Sequence, residues 1–149
     1  MPPLKLRLLR ISAVLWAIWG AVHIFAGVII ITSDATGAVQ AVADAVDPQT
    51  LVRDYPAAAG ALFNQHGWNL GWIGLVTLLC AVLIWRRNMT AVWLAALVGG
   101  LADIGYFVFL DLPGHVHFVP GTLMTVFSAS AILLSFAVWL WPGRHTVSD

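Results

Sequence analysis

Four stretches of this chain, about 11–32, 58–85, 90–110 and 118–141, contain one charged residue between them, Asp103. Each reaches the ~20 apolar residues that a helix needs to cross the hydrocarbon core of a bilayer. The expected fold is therefore an all-α integral membrane protein. It is an antiparallel bundle of four transmembrane helices that forms a single domain over residues 1–149.

Composition supports this reading and narrows the function. Charged residues make up 9% of the 149, against about 25% in a soluble domain. A water-facing surface cannot be built from so few charges, so most of the surface must face lipid. The net charge is zero, and no basic run exists that would hold a nucleic-acid backbone. Cys80 is the only cysteine. This excludes an internal disulfide, Cys-pair metal sites and CxxC redox chemistry. In its apolar run Cys80 reads as a small buried hydrophobe. No signature of desaturases, rhomboid proteases or P-loop proteins is present.

Lys and Arg give the bundle a direction. Lys5, Arg7, Arg10, Arg86, Arg87 and Arg144 fall at the N-terminus, the second-to-third loop and the C-terminus, which share one side of a four-span protein. Only Arg53 falls on the other side. Six against one places both termini in the cytoplasm and the protein in the cytoplasmic (inner) membrane. Trp85, Trp93, Trp139 and Trp141 then lie near the cytoplasmic interface, where indole rings anchor. The first span follows basic residues as a signal peptide would. Its apolar core is too long for one and carries His23, Trp16 and Trp19, so a retained helix is expected.

The connections differ in kind. Arg86–Met89 is short and forces a hairpin. The first external loop, from Ser33 to about Tyr55, is long. Within it Val39, Val42 and Val46 recur at helical spacing, with Gln40, Asp44 and Asp47 on other faces, and Asp47-Pro48 ends the pattern. A short amphipathic helix on the outer surface is expected there. It serves either as a linker or as a lid over what lies beneath.

Ionisable groups inside hydrocarbon cost about 2.5–3.5 kcal/mol at a helix centre and are functional candidates by default. A rise of about 1.5 Å per residue puts His23 about 15 Å, His66 about 12 Å and Asp103 about 10–12 Å below the outer ends of their spans. Three ionisable side chains on three helices thus share one layer in the outer half of the bilayer. Their helix neighbours suit an inward face: Trp16, Trp19, Gly20 and Gly27 with His23; Asn69, with Gln65 and Asn64, beside His66; and Gly99, Gly100 and Tyr106 with Asp103. Gly67, Gly71 and Gly74 form a small-residue face that lets helix backbones approach. The fourth helix offers only the hydroxyls Thr122, Thr125 and Ser128, in a supporting role. His115 and His117 follow Pro113-Gly114 just outside the layer, where one of them would fold over the site.

His23, His66 and Asp103 are therefore the expected centre of a polar cavity open to the extracytoplasmic side. Asn69, Tyr106, Gln65 and Trp19 support it, and His115 or His117 closes it. The expected function is that of a membrane-embedded enzyme or metal-binding protein acting on a lipophilic small molecule. An Asp in a low-dielectric site beside a His suits acid–base catalysis. The same His23, His66 and Asp103 suit a divalent metal such as Zn²⁺, although no two ligands stand at i, i+4 on one helix. Alternatives are an accessory subunit whose His/Asp network only fixes helix packing, and a haem-binding electron-transfer protein with His23 and His66 as axial ligands. A pore is disfavoured, because no second polar layer continues towards the cytoplasm and four spans make a path only as an oligomer.

Overall fold

The computed structural model describes residues 1–43 and 45–141, and every regular element among them is helical. Asp44, Arg144 and His145 lie outside the described residues. Helix α1 (Pro3–Thr32) leads through α2 (Ala35–Val42) and a 3-10 turn at Pro48–Leu51 to α3 (Ala57–Trp85). The third long helix, Met89–Asp111, is composite. It runs as α4 (Met89–Ala95), a π-turn at Ala96–Gly100, α5 (Leu101–Tyr106) and a second π-turn at Phe107–Asp111. The fourth, Phe118–Leu140, opens in a π-turn at Phe118–Thr122 and continues as α6 (Leu123–Leu140). All four are long and apolar enough to cross a membrane. Their outer faces carry well-exposed apolar side chains such as Phe25, Leu62, Phe109 and Leu133, a surface suited to acyl chains rather than water.

The bundle is built on the contact between α1 and α3, where glycine lies against backbone. A Cβ added at Gly20 would stand 2.7 Å from the carbonyl oxygen of Gly74, and one at Gly74 would stand 2.6 Å from that of Gly20. One at Gly27 would stand 2.5 Å from the Gly67 carbonyl oxygen and 2.8 Å from the Gly71 amide nitrogen. These separations fall well inside the ~3.5–4.0 Å optimum for non-bonded carbon atoms. The pairing of Gly20 with Gly74 and of Gly27 with Gly67 also shows the two helices running antiparallel.

The other helices close the ring around this pair. The fourth packs along α1, where the buried Ser12 hydroxyl donates to the Ala131 carbonyl at 2.8 Å. The third packs on α3 and α6 through α4 and its first π-turn. Trp16 and Trp19 are fully buried at the centre. Gly99 leaves a slot for Trp16, since a Cβ there would meet the indole Cζ3 at 2.6 Å.

Helix α1 begins earlier than hydropathy indicates. Hydropathy marks the apolar stretch, whereas the helix continues through a polar first turn held by its own contacts. Lys5 Nζ donates to the Trp141 carbonyl at 3.0 Å, and the Arg10 guanidinium lies 5.1 Å from the centre of the Trp85 ring. The hairpin after α3 is tight. Arg87 adopts a left-handed φ of 68°, and the amides of Arg87 and Asn88 bond back to the carbonyls of Ile84 and Leu83. The Asn88 side chain then accepts from the Thr90 and Ala91 amides and starts α4.

Helix α2 starts on Asp34, whose side chain accepts from the Gly37 amide at 2.8 Å, and it ends at Val42, before the valine pattern does. Ala38 and Val39 are buried beneath it.

A methyl group added at Gly20, Gly27 or Gly74 has nowhere to go. Gly27→Val is expected to lower the melting temperature in detergent sharply, with overpacking costing about 1–3 kcal/mol or more. Gly71→Ala, whose added Cβ meets nothing within 4 Å, is expected to melt close to wild type. Circular dichroism melts of the two variants check this, and equal melting would refute the seam.

Candidate functional site

Asp103 reaches the bundle interior from α5 and is 6% exposed. Both of its carboxylate oxygens accept hydrogen bonds from neighbouring helices. The Trp19 indole Nε1 donates to Oδ1 at 3.3 Å from α1, and the Ser128 hydroxyl donates a short bond to Oδ2 from α6. Two donors are what a buried acceptor needs, because an unsatisfied one costs about 1–3 kcal/mol, more if charged. This three-helix link was only half legible beforehand. Trp19 and Asp103 sit at matching depth, but Ser128 stood as one of three supporting hydroxyls. Only the rotation of α6 selects it.

Trp19 also fixes His23. The imidazole stacks on the indole with ring centres 3.6 Å apart and planes 21° from parallel. Its Nδ1 lies 2.8 Å from the Trp19 carbonyl oxygen. A carbonyl only accepts, so Nδ1 carries the hydrogen. In the neutral ring Nε2 is then the acceptor. Nε2 makes no hydrogen bond to another described residue.

The same reasoning orients Asn69 on α3. Trp72 Nε1 donates to its Oδ1 at 3.2 Å. An indole N–H only donates, so the amide NH₂ of Asn69 retains its own donors.

His23, His66, Asn69, Asp103, Tyr106 and Trp19 line one cavity of about 470 Å³ in the α2 half of the bundle. The remaining walls are mostly apolar and include Val22, Leu70, Ile73, Phe109 and Met124. Among the described residues, no Lys or Arg lines it. Tyr106 packs over Gly121, where an added Cβ would stand 2.6 Å from the phenol oxygen. His66 lies at the rim and is exposed.

His23, His66 and Asp103 form no hydrogen bonds to one another among the described residues. The bonds run instead through Trp19 and Ser128. No group of three or more His, Cys, Asp or Glu able to hold a metal ion occurs among the described residues either.

The cover over the cavity comes from Ala41 and Val42 of α2 and from Pro120 and Gly121 of the fourth helix. His115 and His117 do not provide it. Both are exposed and outside the cavity, and the His117 backbone amide is held by the Ala45 carbonyl at 2.6 Å. Gln65 is likewise exposed and does not line the cavity. The covering residues carry no chemical signal in the sequence. They matter by position alone.

Comparison of the chain with protein-family models, with curated proteins and with solved structures gave no match.

The Trp19–Asp103–Ser128 link yields a stability test. Ser128→Ala is expected to lower unfolding free energy by about 1–3 kcal/mol, as loss of a hydrogen bond to a buried carboxylate should. The loss should shrink towards zero in an Asp103→Leu background. A double-mutant cycle by denaturant unfolding measures it, and additive effects would show that the two side chains are not coupled.

Proposed function

We propose that this protein is a multi-pass membrane protein that binds a lipophilic small molecule in the cavity and presents its polar end to His23 as proton acceptor. The observation that carries the reading is the cavity itself: about 470 Å³, largely apolar, with His23, Asn69, Asp103 and Tyr106 converging on it from three helices. Apolar pockets of about 300–1,000 Å³ with a few convergent polar groups are the usual form of small-molecule sites.

The held tautomer of His23 supports a chemical role. A ring fixed by stacking and by its Nδ1–H bond presents Nε2 in one orientation, which is what a general base requires. Asp103 suits a positioning role, because both its oxygens are engaged and one holds the Trp19 ring on which His23 stacks. The site favours this over a metal centre, since the described His and Asp side chains do not gather into a ligand set.

The Lys and Arg asymmetry supports placement in the cytoplasmic membrane with both termini inside. The cavity then lies in the extracytoplasmic half, with α2 as its lid.

Two experiments test these readings. Mass spectrometry of lipid extracts from detergent-purified protein is expected to find a lipophilic species with wild type. Its amount should fall by about tenfold in His23→Ala, the weight of one hydrogen bond of about 1.4 kcal/mol, and at least as far in Ala26→Trp, which fills the cavity. Equal amounts in all three, or none in wild type, would overturn the proposal. For orientation, a Cys80→Ser background carrying Asp54→Cys should react with an impermeant maleimide on intact cells. The same background with Thr90→Cys should react only after permeabilisation. The opposite pattern would invert the topology.

A further inference from the structure

Helix α5 is the least supported part of the bundle at the level of the site. Helix α4 and the first π-turn pack on α3, but beyond Gly100 the described residues of the third helix form no extended backbone interface with α1, α3 or α6. Its attachments include the Asp103 side chain, the packing of Tyr106 over Gly121 and, at its far end, contact of the second π-turn with the start of the fourth helix. Wide π-turns are common sites of helix bending, and the separation begins at the π-turn at Ala96–Gly100.

The cavity is covered on its α2 end, and the covering segments are tied together. The Ala45 carbonyl accepts from the His117 amide at 2.6 Å, and a Cβ on Gly121 would stand 3.0 Å from that of Ala45. Among the described residues, no backbone bond closes the side between α3 and α5 in this way. There His66 and Asn69 on α3 line the cavity together with Gly105 on α5 and Phe109 in the second π-turn. A Cβ added at Gly105 meets nothing within 4 Å, and Phe109 is 76% exposed. This gap offers a molecule a way to His23 that leaves the cover fastened. The gap opens on the flank between two apolar helices, the surface that acyl chains contact in a bilayer.

The polar groups restrict the head of such a molecule. His23 Nε2 needs a donor, and the Asn69 amide offers donors. A hydroxyl meets both needs. A carboxylate brings no hydrogen for Nε2, whereas an ammonium cannot accept from Asn69. A phosphate head would lack a cation, because no Lys or Arg among the described residues lines the cavity. The volume of about 470 Å³ lies in the lower part of the usual range for ligand pockets, which suits one chain rather than two.

We propose that the cavity is loaded sideways from the bilayer through the gap between α3 and α5, and that its ligand is a single-chain lipid alcohol whose hydroxyl meets His23 and Asn69 while its chain leaves past Gly105. This rests on the cavity reading above and adds to it a route and a ligand class.

Native mass spectrometry of detergent-released protein with 1-hexadecanol and 1-octanol tests it. Wild type should retain both. Gly105→Trp should weaken hexadecanol retention by about tenfold or more while keeping octanol, which is short enough to lie inside the cavity; retained octanol also reports an intact fold. Ala129→Trp, which fills the groove on the other face of Asp103, between the third and fourth helices, should keep both. Hexadecanol retained by Gly105→Trp, or lost from Ala129→Trp instead, overturns the route. Palmitate or hexadecylamine bound as tightly as hexadecanol overturns the hydroxyl head. If wild type binds neither alcohol yet the co-purified species still depends on His23, the cavity reading stands and this inference falls.

Discussion

Backbone contact between α1 and α3 is the constraint on which the rest of the molecule depends. Between helices this apolar, burial from lipid supplies little attraction, and association relies on close van der Waals packing and a few polar bonds. Gly20 and Gly27 meeting Gly67, Gly71 and Gly74 provide that packing. The consequence for the site is geometric. With the two backbones locked, His23 and His66 have fixed places on the cavity wall, and Trp19 has a fixed direction. The helices bearing the remaining polar groups are fitted against this pair.

Trp19 concentrates three tasks in one residue. Its indole N–H holds Asp103, its ring supports His23, and its carbonyl accepts from His23. The π-system, the donor and the backbone therefore act on two different side chains at once. A buried carboxylate is costly in an apolar bundle, and its two donors offset part of that cost. Asp103 in return joins α5 to α1 and α6 where the described residues form no extended backbone interface. Packing and chemistry are not separable at this residue.

Much of this was legible in the sequence because helical rise is constant. Counting residues from the ends of apolar runs placed His23, His66 and Asp103 at one depth, and they line one cavity. Glycine spacing foretold a close helix face. Rotation was harder to read. Nothing in the order Thr122, Thr125, Ser128 tells which hydroxyl meets Asp103, because a one-residue shift turns a helix by about 100°. The π-turns carried no compositional mark, so the standing-off of α5 was hidden. The cover was misassigned to His115 and His117 because titratable residues draw attention, whereas Ala41, Val42, Pro120 and Gly121 close the cavity by shape. The valine repeat implied a longer α2 than the one that forms.

The π-turn at Ala96–Gly100 sets the phase between the two halves of the third helix. A π-turn holds one residue more than the α-turn it replaces. Deleting one residue of Ala-Leu-Val-Gly-Gly would therefore let the segment rewind as plain α-helix with its two halves nearly in their present phase. Rewinding all five residues as α-helix would instead turn everything after them by about 100°, carrying Asp103 away from Trp19 and Ser128. The extra residue is thus absorbed by the wider turn. A substitution that drove this turn into plain α-helix would lose the phase while leaving the hydropathy of the span almost unchanged.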